Sequence, residues 1–371
     1  MCSGFFSDLY CSLTHSLCFF FLCLLCLLCL LWLKMPTTLE DIARALNVSK
    51  MTVSRAINNH PEINSETRAR VLAAARKMNY RPNQFARALA SKHSYLIGIV
   101  VPDLMHSYFA EICRGVESQA RPAGYQNLIC STDEEPRKEQ DEIEALWSRT
   151  DGLIVASALA AKEAKFYRRL LNEGGKIVLI DRLLDGLRCP AVTPDDVRVG
   201  ILATEHLIEL GHKRIGHLRG TNVSTSQGRL EGYKQAMAKA GLRFDKGLVR
   251  DCGFAESDGR KAMKEWIAEG DLPPAIFAAN DAAAIGAMEV LNDAGLNVPN
   301  DVAIVGAGNI HYGDMLRVPL TTVSWSTAAM GQSAAGLLLE LISDKNTAAK
   351  NRHVTIPPEL VVRRSCGAVK Q

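Results

Sequence analysis

The spacing of hydrophobic and polar residues changes twice along this chain, and each change indicates a different kind of structure. Residues 17–33 form an unbroken apolar run. From Thr38 to about residue 82, apolar residues recur at helical spacing. From Tyr95 onward, short apolar stretches alternate with longer amphipathic segments. We therefore predict an all-α segment followed by a larger α/β region.

The α/β region contains two successive arrays of similar size in which strands alternate with helices. Such alternation is typical of parallel sheets that carry helices on both faces. We therefore predict two doubly wound lobes, each with a parallel sheet. Strands are predicted at 95–103, 126–130, 152–157, 176–182, 214–220, 275–280, 302–309 and 359–364, and helices at 109–123, 137–148, 161–173, 197–210, 227–240, 281–294 and 327–343.

Residues Thr38 to Asn58 have the features of two short helices joined by a tight turn. Thr38 can cap the first helix, with Asp41 as its partner three residues later, and Ser49 can cap the second helix after the turn-tolerant Asn47. Hydroxyls, amides and cations on an outer helix face are the groups that contact phosphates and base edges in a major groove. This helix-turn-helix predicts a DNA-binding face, and the alternative is a solvated helix in a small bundle. The predicted DNA-binding residues are the two cap residues and the outer face: Thr38, Ser49, Lys50, Met51, Thr52, Ser54, Arg55 and Asn58.

A third helix is predicted from Ser65, which can form a capping box with the residues that follow it. Its apolar face would close the core of the all-α segment. The Tyr80-Arg81-Pro82 sequence ends this helix, because the residue before a proline is pushed out of the α region. Asn83 to Lys92 is a linker by position and helical by propensity, and a helix this short is marginal in isolation.

The formal net charge of +3 conceals an asymmetry between the two ends of the chain. Residues 35–93 contain ten Lys and Arg against four Asp and Glu, whereas residues 94–371 contain 32 against 35. A basic N-terminal part is typical of proteins that bind nucleic acid. The cysteines after residue 34 have no CxxC spacing, which argues against a metal or disulfide framework and fits a reducing cytoplasm: Cys113, Cys130, Cys189, Cys252 and Cys366.

Residues 1–34 do not continue into either predicted region. The apolar run is near the lower limit of a membrane span, ends at Lys34, and lacks the basic start of a secretory signal. Three interpretations stay open: a membrane anchor, a signal segment, or upstream sequence translated in error before a true start at Met35. We favour the third, because Met35-Pro36-Thr37 directly precedes the helix-turn-helix.

The sequence TLEDIARALNVSKMTVSRAIN, followed by Tyr80-Arg81-Pro82-Asn83 and Ala86-Arg87-Ala88-Leu89, resembles the headpiece and hinge of the lactose/galactose repressor family. The resemblance extends from about Thr37 to Arg364. It implies a headpiece at 35–82, a hinge at 83–93, and an effector-binding and dimerisation domain at 94–371 that is similar to periplasmic sugar-binding proteins. Chain crossings in that family imply one lobe from about 94–194 and 324–356, and another from about 195–323 and 357–364.

The resemblance also implies a mode of action. Members act as homodimers on palindromic operator DNA, and an effector between the lobes changes operator affinity. Their hinges fold on the operator and place a leucine between base pairs in the minor groove, and Leu89 matches that leucine. We expect Tyr80, Asn83 and Leu89 to contact DNA.

An effector in this family lies at the carboxyl ends of the strands. The residues at those ends here include planar amide and guanidinium groups, carboxylates and aromatic rings, which suit a sugar-like ligand. For the aspartates among them, capping of a helix or turn is the alternative role. The predicted effector-binding residues, by match to family positions, are Asp103, Tyr108, Phe109, Asp181, Asp195, Arg229, Asn280 and Asn309.

The chain departs from the family pattern at Gly308, where members that bind neutral sugars usually have an aspartate. Asn309 is expected to substitute for that carboxylate. An acidic sugar or a sugar phosphate held by Arg229 is the alternative ligand.

No catalytic constellation or cofactor motif competes with these features. We therefore predict a cytoplasmic, nucleoid-associated transcription regulator, most simply a repressor, that is not an enzyme and needs no cofactor or metal. The alternative is a membrane-anchored or exported solute-binding protein that uses residues 1–34, although that hypothesis leaves the helix-turn-helix unexplained.

Overall fold

The computed structural model describes residues 37–82, 84–105, 107–159, 163–343 and 351–368. The apolar run at 17–33 and Asn83 lie outside the described residues. No helix among the described residues has the length and apolarity to cross a membrane. The chain divides between Ser91 and Lys92 into two compact units.

The described residues of the first unit form four helices. They are α1 Leu39–Leu46, α2 Lys50–Ile57, α3 Ser65–Lys77 and α4 Gln84–Ser91. We use the name headpiece for α1 to α3 and their connections. Its core is formed by residues from all three helices: Ile42, Ala43, Val53, Ala56, Val71 and Ala75.

The helix-turn-helix has the predicted caps. The hydroxyl of Thr38 accepts a hydrogen bond from the amide of Asp41 at 3.3 Å, and the Asp41 carboxylate accepts one from the amide of Thr38 at 2.9 Å. Asn47 has a φ of 52°, in the left-handed region, and thereby ends α1. Ser49 Oγ accepts from the amide of Thr52 at 3.0 Å at the start of α2. Both caps satisfy amides that have no partner within the helix.

The predicted cap of the third helix is wrong by one residue. Asn64 is the N-cap, with its Oδ1 accepting from the amide of Thr67 at 2.7 Å, and Ser65 is the first helical residue. An asparagine is as good an N-cap as a serine, so composition alone does not distinguish the two positions.

The predicted linker helix is confirmed as α4. Leu89 lies on this helix and is 86% exposed. A leucine this exposed contributes almost nothing to packing within the first unit, so its apolar surface is available for another partner.

The second unit contains two six-stranded sheets. In chain order its elements are β1 Leu96–Val101, α5 Ser107–Ala120, β2 Gln126–Ser131, α6 Pro136–Trp147, β3 Gly152–Val155, α7 Ala164–Asn172, β4 Ile177–Ile180, β5 Ala191–Pro194, α8 Asp196–Glu209, β6 Ile215–Arg219, α9 Ser224–Lys239, β7 Val249–Asp251, α10 Glu256–Glu269, β8 Ala275–Ala278, α11 Asp281–Asp293, β9 Ala303–Ala307, β10 Thr321–Ser324, α12 Thr327–Ile342, β11 His353–Ile356 and β12 Glu359–Val361. Among the described connections are two short 3₁₀ turns, Arg121–Ala123 and Lys246–Leu248.

The strand orders show two doubly wound lobes, as predicted. The first lobe is built on a sheet in the order β11-β5-β4-β3-β1-β2, and the second on a sheet in the order β12-β10-β9-β8-β6-β7. All pairings are parallel except that of β12 with β10, which is antiparallel. The chain passes to the second lobe after Pro194, returns after Ser324 and passes again after Ile356.

Alternate residues of the strands supply the cores on the two faces of each sheet. In β1, Ile97, Ile99 and Val101 belong to one hydrophobic cluster, whereas Val100 belongs to another with Leu153 of β3. Side chains of a strand alternate between faces, so helices must cover both sides of such a sheet.

Several elements were not predicted from the sequence: β5, β7, α10, β10 and β11. The strands are only three or four residues long and polar at several positions. Helix α10 contains Gly259, which weakens its helical pattern. The glycine has a packing reason, because a Cβ there would lie 2.1 Å from the carbonyl oxygen of Ala283 in α11.

Candidate functional site

A cavity of about 400 Å³ lies between the two lobes at the carboxyl ends of their central strands. Its volume is in the range of small-molecule binding sites. Six of the eight predicted effector-binding residues line it: Asp103, Tyr108, Phe109, Asp181, Arg229 and Asn280. The remaining lining residues are Asp133, Glu134, Arg182, Thr221, Thr225, Phe254, Ala255, Asp258, Ala307, Gly308 and Trp325.

Arg229 of α9 is buried and held from three sides. Its Nε donates to Oδ1 of Asp196 at 3.0 Å, and its Nη1 donates to the carbonyl of Ala279. Its guanidinium carbon lies 5.1 Å from the centre of the Trp325 ring. A guanidinium has five N–H donors, so these bonds fix its plane and leave donors for a ligand.

Tyr108, Asp181 and Trp325 form a hydrogen-bonded chain in the cavity wall. The Tyr108 hydroxyl donates to Oδ1 of Asp181 at 2.5 Å and accepts from Nε1 of Trp325 at 3.2 Å. Burial, together with the charge of Asp181, raises the pKa of Tyr108 well above its usual value, so the phenol stays neutral. Phe109 packs edge-on against Tyr108, with ring centres 5.1 Å apart.

The two lobes are brought into contact by Arg182, a polar residue at the end of a predicted strand, and by Phe254, which was not predicted as a site residue. Arg182 follows β4 in the first lobe and is buried; its two terminal nitrogens donate to the two carboxylate oxygens of Glu134 at 2.6 and 2.7 Å. Its guanidinium lies 5.1 Å from the ring centre of Phe254, which comes from the second lobe. A second contact between the lobes is the bond from Thr225 Oγ1 to the Asp181 carbonyl at 3.2 Å.

Two further predicted residues are held by hydrogen bonds to backbone groups. Asn280 caps α11 by accepting from the amide of Ala283 at 2.9 Å, and its Nδ2 donates to the carbonyl of Phe254 at 2.7 Å. Oδ1 of Asp103 accepts from the amide of Met105 at 2.7 Å. Both side chains border the cavity, and these bonds hold their positions there.

Asp195 and Asn309 do not line the cavity. The Asp195 carboxylate caps α8 by accepting from the amide of Arg198 at 2.9 Å, and the adjacent Asp196 is the residue that reaches Arg229. Asn309 donates to Ser324 Oγ at 3.2 Å and accepts from Arg363 at 2.7 Å. The structure therefore does not place these two side chains where an effector would contact them.

Gly308 borders the cavity with a φ of 120°, a conformation that favours glycine. Apart from a carboxylate oxygen of Asp281 at 3.9 Å, a Cβ at this position would meet nothing within 4 Å. The cavity is therefore open at the position where members that bind neutral sugars usually have an aspartate, and Asn309 does not fill this space.

The cavity has more acidic than basic side chains. Its two guanidiniums, of Arg182 and Arg229, are both paired with carboxylates. Five carboxylates line the cavity, so its charge disfavours a ligand with a phosphate or carboxylate group: Asp103, Asp133, Glu134, Asp181 and Asp258.

Asp281 is buried beside Gly308, which borders the cavity. The titration of Asp281 therefore provides a test of the fold around the cavity. Its carboxylate accepts from Thr322 Oγ1 at 2.6 Å and from the amide of Ile310 at 2.7 Å. Burial nevertheless raises the pKa of Asp281 to about 6. Between pH 4 and 6 the folded state therefore binds more protons at this carboxyl than the unfolded state does, so the contribution of Asp281 to the free energy of unfolding falls as the pH rises through this window.

We expect Asp281→Asn to flatten that fall, because an amide does not titrate. Urea unfolding midpoints at pH 4, 5, 6 and 7 measure the effect. The control is Asp293→Asn, which removes an exposed carboxylate from the same helix. The assignment is wrong if Asp281→Asn retains the parental pH dependence, or if both variants change it equally.

The predicted DNA-binding face is only partly exposed. Lys50, Met51, Arg55 and Asn58 are exposed, and Met51 is 63% exposed although it is apolar. Thr52, Ser54 and Tyr80 are half-buried. Thr38 and Ser49 use their hydroxyls in the caps described above, and Asn83 lies outside the described residues.

Comparison with known proteins gives matches in both units of the structure. Residues 38–83 match the model of bacterial regulatory proteins of the lacI family, and residues 204–366 match a periplasmic binding protein-like domain. The chain is 34% identical over 337 residues to the HTH-type transcriptional regulator DegA of Bacillus subtilis, covering 89% of this chain and 98% of that protein. It is also 34% identical over 338 residues to the HTH-type transcriptional repressor PurR of Haemophilus influenzae, covering 90% and 99%.

Solved structures of transcriptional regulators also match the chain over most of its length. A lac repressor dimer bound to operator and the anti-inducer ONPF matches with a TM-score of 0.79 and 27% identity, covering 90% of this chain and all of that one. A complex of the transcriptional regulator CelR with cellobiose matches with a TM-score of 0.68 and 28% identity, covering 89% and 99%.

A helix-turn-helix joined to a two-lobed core with a cavity between the lobes defines a DNA-binding transcription regulator with an effector-binding core. The chain belongs to the lacI family of bacterial regulatory proteins. The family assignment and the fold predicted from the sequence are thereby confirmed. The alternative of a membrane-anchored or exported solute-binding protein finds no support in these comparisons.

Proposed function

We propose that this protein is a homodimeric repressor whose affinity for a palindromic operator is controlled by a neutral, sugar-like ligand bound between the lobes. The observation that carries the proposal is that both lobes contribute contacting side chains to one cavity, with Asp181 and Arg182 on one side and Arg229 and Phe254 on the other. A ligand that bridges these walls binds one lobe arrangement better than another, and that difference shifts the equilibrium between the two arrangements.

The ligand class follows from the cavity's groups. Carboxylates accept hydrogen bonds from hydroxyls, and the guanidinium of Arg229 donates to hydroxyl oxygens. The aromatic rings of Tyr108, Phe109 and Trp325 provide apolar surface for the face of a sugar ring. The excess of acids disfavours the sugar phosphate or acidic sugar considered from the sequence. The related CelR protein binds cellobiose and the related lac repressor binds the anti-inducer ONPF, and these sugar effectors of similar proteins support the proposal.

On DNA, helix α2 is proposed to enter the major groove, with Lys50, Met51 and Arg55 reaching base edges. The protein is proposed to act in the cytoplasm on the bacterial chromosome and to perform no catalysis. The test is to select bound fragments from genomic DNA with the full chain. The affinity for the selected fragment is then measured with neutral sugars, their phosphates and their amino derivatives. The proposal fails if no sequence is enriched, or if no compound changes the affinity.

Arg55→Ala is expected to relax the base preference at one position of each half-site. Loss of a guanidinium contact to a base edge costs about 1–3 kcal/mol of discrimination, which is roughly 5- to 150-fold. Binding to the selected fragment and to its three single-base variants at each position measures this loss. Arg44→Ala, which removes an exposed arginine from α1, is the control for lost charge. An unchanged base preference in Arg55→Ala would count against the role in base recognition.

A further inference from the structure

The exposed face of α2 carries an ion pair that the proposed function does not explain. Nη1 of Arg55 donates to Oε2 of Glu62 at 2.6 Å. The two side chains are 44% and 61% exposed. Ion pairs this exposed contribute little to stability, because solvent screens the charges and ordering two long side chains costs entropy. A carboxylate beside a DNA-binding surface also opposes association with phosphates.

The loop that carries Glu62 is held in place by other bonds. The amide of His60 donates to the carbonyl of Arg55 at 2.9 Å, which ties the loop to the end of α2. Arg68 of α3 donates from Nη2 to the carbonyls of His60 at 2.8 Å and Ile63 at 3.0 Å. Ile63 packs against the headpiece core. Glu62 is therefore fixed beside Arg55 by its backbone, whether or not the ion pair is formed.

We propose that Glu62 is a positioning residue that sharpens the base preference of Arg55. This inference rests on the proposed function, in which Arg55 reads a base edge. The carboxylate holds one nitrogen of the guanidinium, and the remaining N–H groups can pair with the two acceptors on the major-groove edge of guanine. The carboxylate of Glu62 also repels the phosphates of the duplex. Hydrogen bonds from Arg55 to guanine offset this repulsion, whereas a base without those acceptors does not, so a site with such a base is bound more weakly.

A second ion pair on the same surface, between Lys50 and Glu40, lacks the hydrogen bond that would orient its cation. Lys50 and Glu40 approach only to 4.0 Å, beyond hydrogen-bond distance. A lysine is a point charge with freely rotating donors, whereas the planar guanidinium of Arg55 is oriented by a bond to one of its nitrogens. Glu62 is thus the acidic residue whose removal should change base choice and not only overall affinity.

The test uses the full-length protein and three sets of variants. Sequences are first selected with the parent and with Arg55→Ala, and the position whose preference disappears in Arg55→Ala is the one that Arg55 reads. Glu62→Ala, Glu62→Gln and the control Glu66→Gln are then measured on all four base pairs at that position and on non-specific DNA. Glu66 is an exposed carboxylate in the first turn of α3.

All three variants should bind non-specific DNA somewhat more tightly, because each loses one negative charge. We expect discrimination at the Arg55 position to fall about two- to fivefold in Glu62→Ala, the range of a measurable exposed ion pair. The fall should be smaller in Glu62→Gln, whose amide oxygen still accepts a hydrogen bond, and absent in Glu66→Gln. In the Arg55→Ala background, Glu62→Ala should have no effect on discrimination.

Three results would overturn the inference. In the first, Glu62→Ala and Glu66→Gln alter affinity equally at every base pair, which is the result expected of a general charge effect. In the second, Glu62→Ala changes the preference at a different position, which would make Glu62 itself the reader of a base. In the third, its effect persists when Arg55 is alanine. If the parent enriches no sequence at all, the proposed function fails and not merely the role of Glu62.

Discussion

Arg229→Ala should abolish the effect of the ligand on operator binding while leaving operator affinity without ligand unchanged. Arg229 lines the cavity, and its guanidinium is fixed by Asp196, Ala279 and the Trp325 ring. A hydrogen bond to a charged group contributes about 1.5–3 kcal/mol, so ligand binding should weaken roughly 10- to 150-fold, and the response should be lost at ligand concentrations near the parent's Kd. A ligand identified by the sugar series, titrated calorimetrically and in an operator-binding assay, measures both quantities.

The variant should fold despite the loss of a buried cation. Burial raises the pKa of Asp196 to about 7, and Arg229 lowers it. Without Arg229 the carboxyl can therefore take up a proton near neutral pH instead of remaining as an unpaired buried charge. Arg219→Ala is the matched control, because Arg219 pairs with Asp251 in the same lobe and does not line the cavity. A normal ligand response in Arg229→Ala, or its loss in Arg219→Ala, would remove Arg229 from the proposed site.

Leu89→Ala should reduce specific operator affinity and DNA bending while sparing non-specific binding. Leu89 is 86% exposed on α4, so its truncation removes almost no packing from the protein itself. Burial of a leucine side chain between base pairs contributes about 1.5–3 kcal/mol, and we expect a loss of roughly tenfold or more in specific affinity. Gel mobility of circularly permuted operator fragments measures the bend, and titration with unrelated DNA measures non-specific affinity.

Leu210→Ala provides the control for the lost apolar volume. Leu210 is the C-cap residue of α8 in the second unit and is 38% exposed. It should bind and bend the operator as the parent does. An unchanged bend angle in Leu89→Ala would mean that α4 does not insert this side chain and that Leu89 does not have the role of the leucine it matches in the family.

The helix-turn-helix could be predicted from the sequence because its determinants are local. The cap at Thr38 depends on a residue three positions away, and the turn at Asn47 depends on one backbone conformation. Even here the sequence did not distinguish Asn64 from Ser65 as the third cap, because either side chain suits the position and only the helix start decides between them.

The cavity could be predicted only in part, because its walls come from distant segments. Asp181 directly follows the wholly apolar strand β4, and Arg229 lies on α9, the helix after β6, so both are found from the βα pattern and the family resemblance. Phe254 follows the three-residue strand β7, and Trp325 follows the four-residue strand β10, and neither strand was predicted. The signal that could have identified Trp325 is its place directly after the predicted crossing near Val323.

By itself the sequence determined the longer helices and the more apolar strands, the DNA-binding headpiece and the two-lobed core, because hydrophobic periodicity and caps act over a few residues. Only the tertiary structure decided which of two adjacent aspartates, Asp195 or Asp196, caps a helix and which pairs with Arg229. It also placed Glu62 against Arg55 and Asn309 against Arg363. These contacts depend on the direction of each side chain and on the meeting of separate elements, and neither is specified by the spacing of residues along the chain.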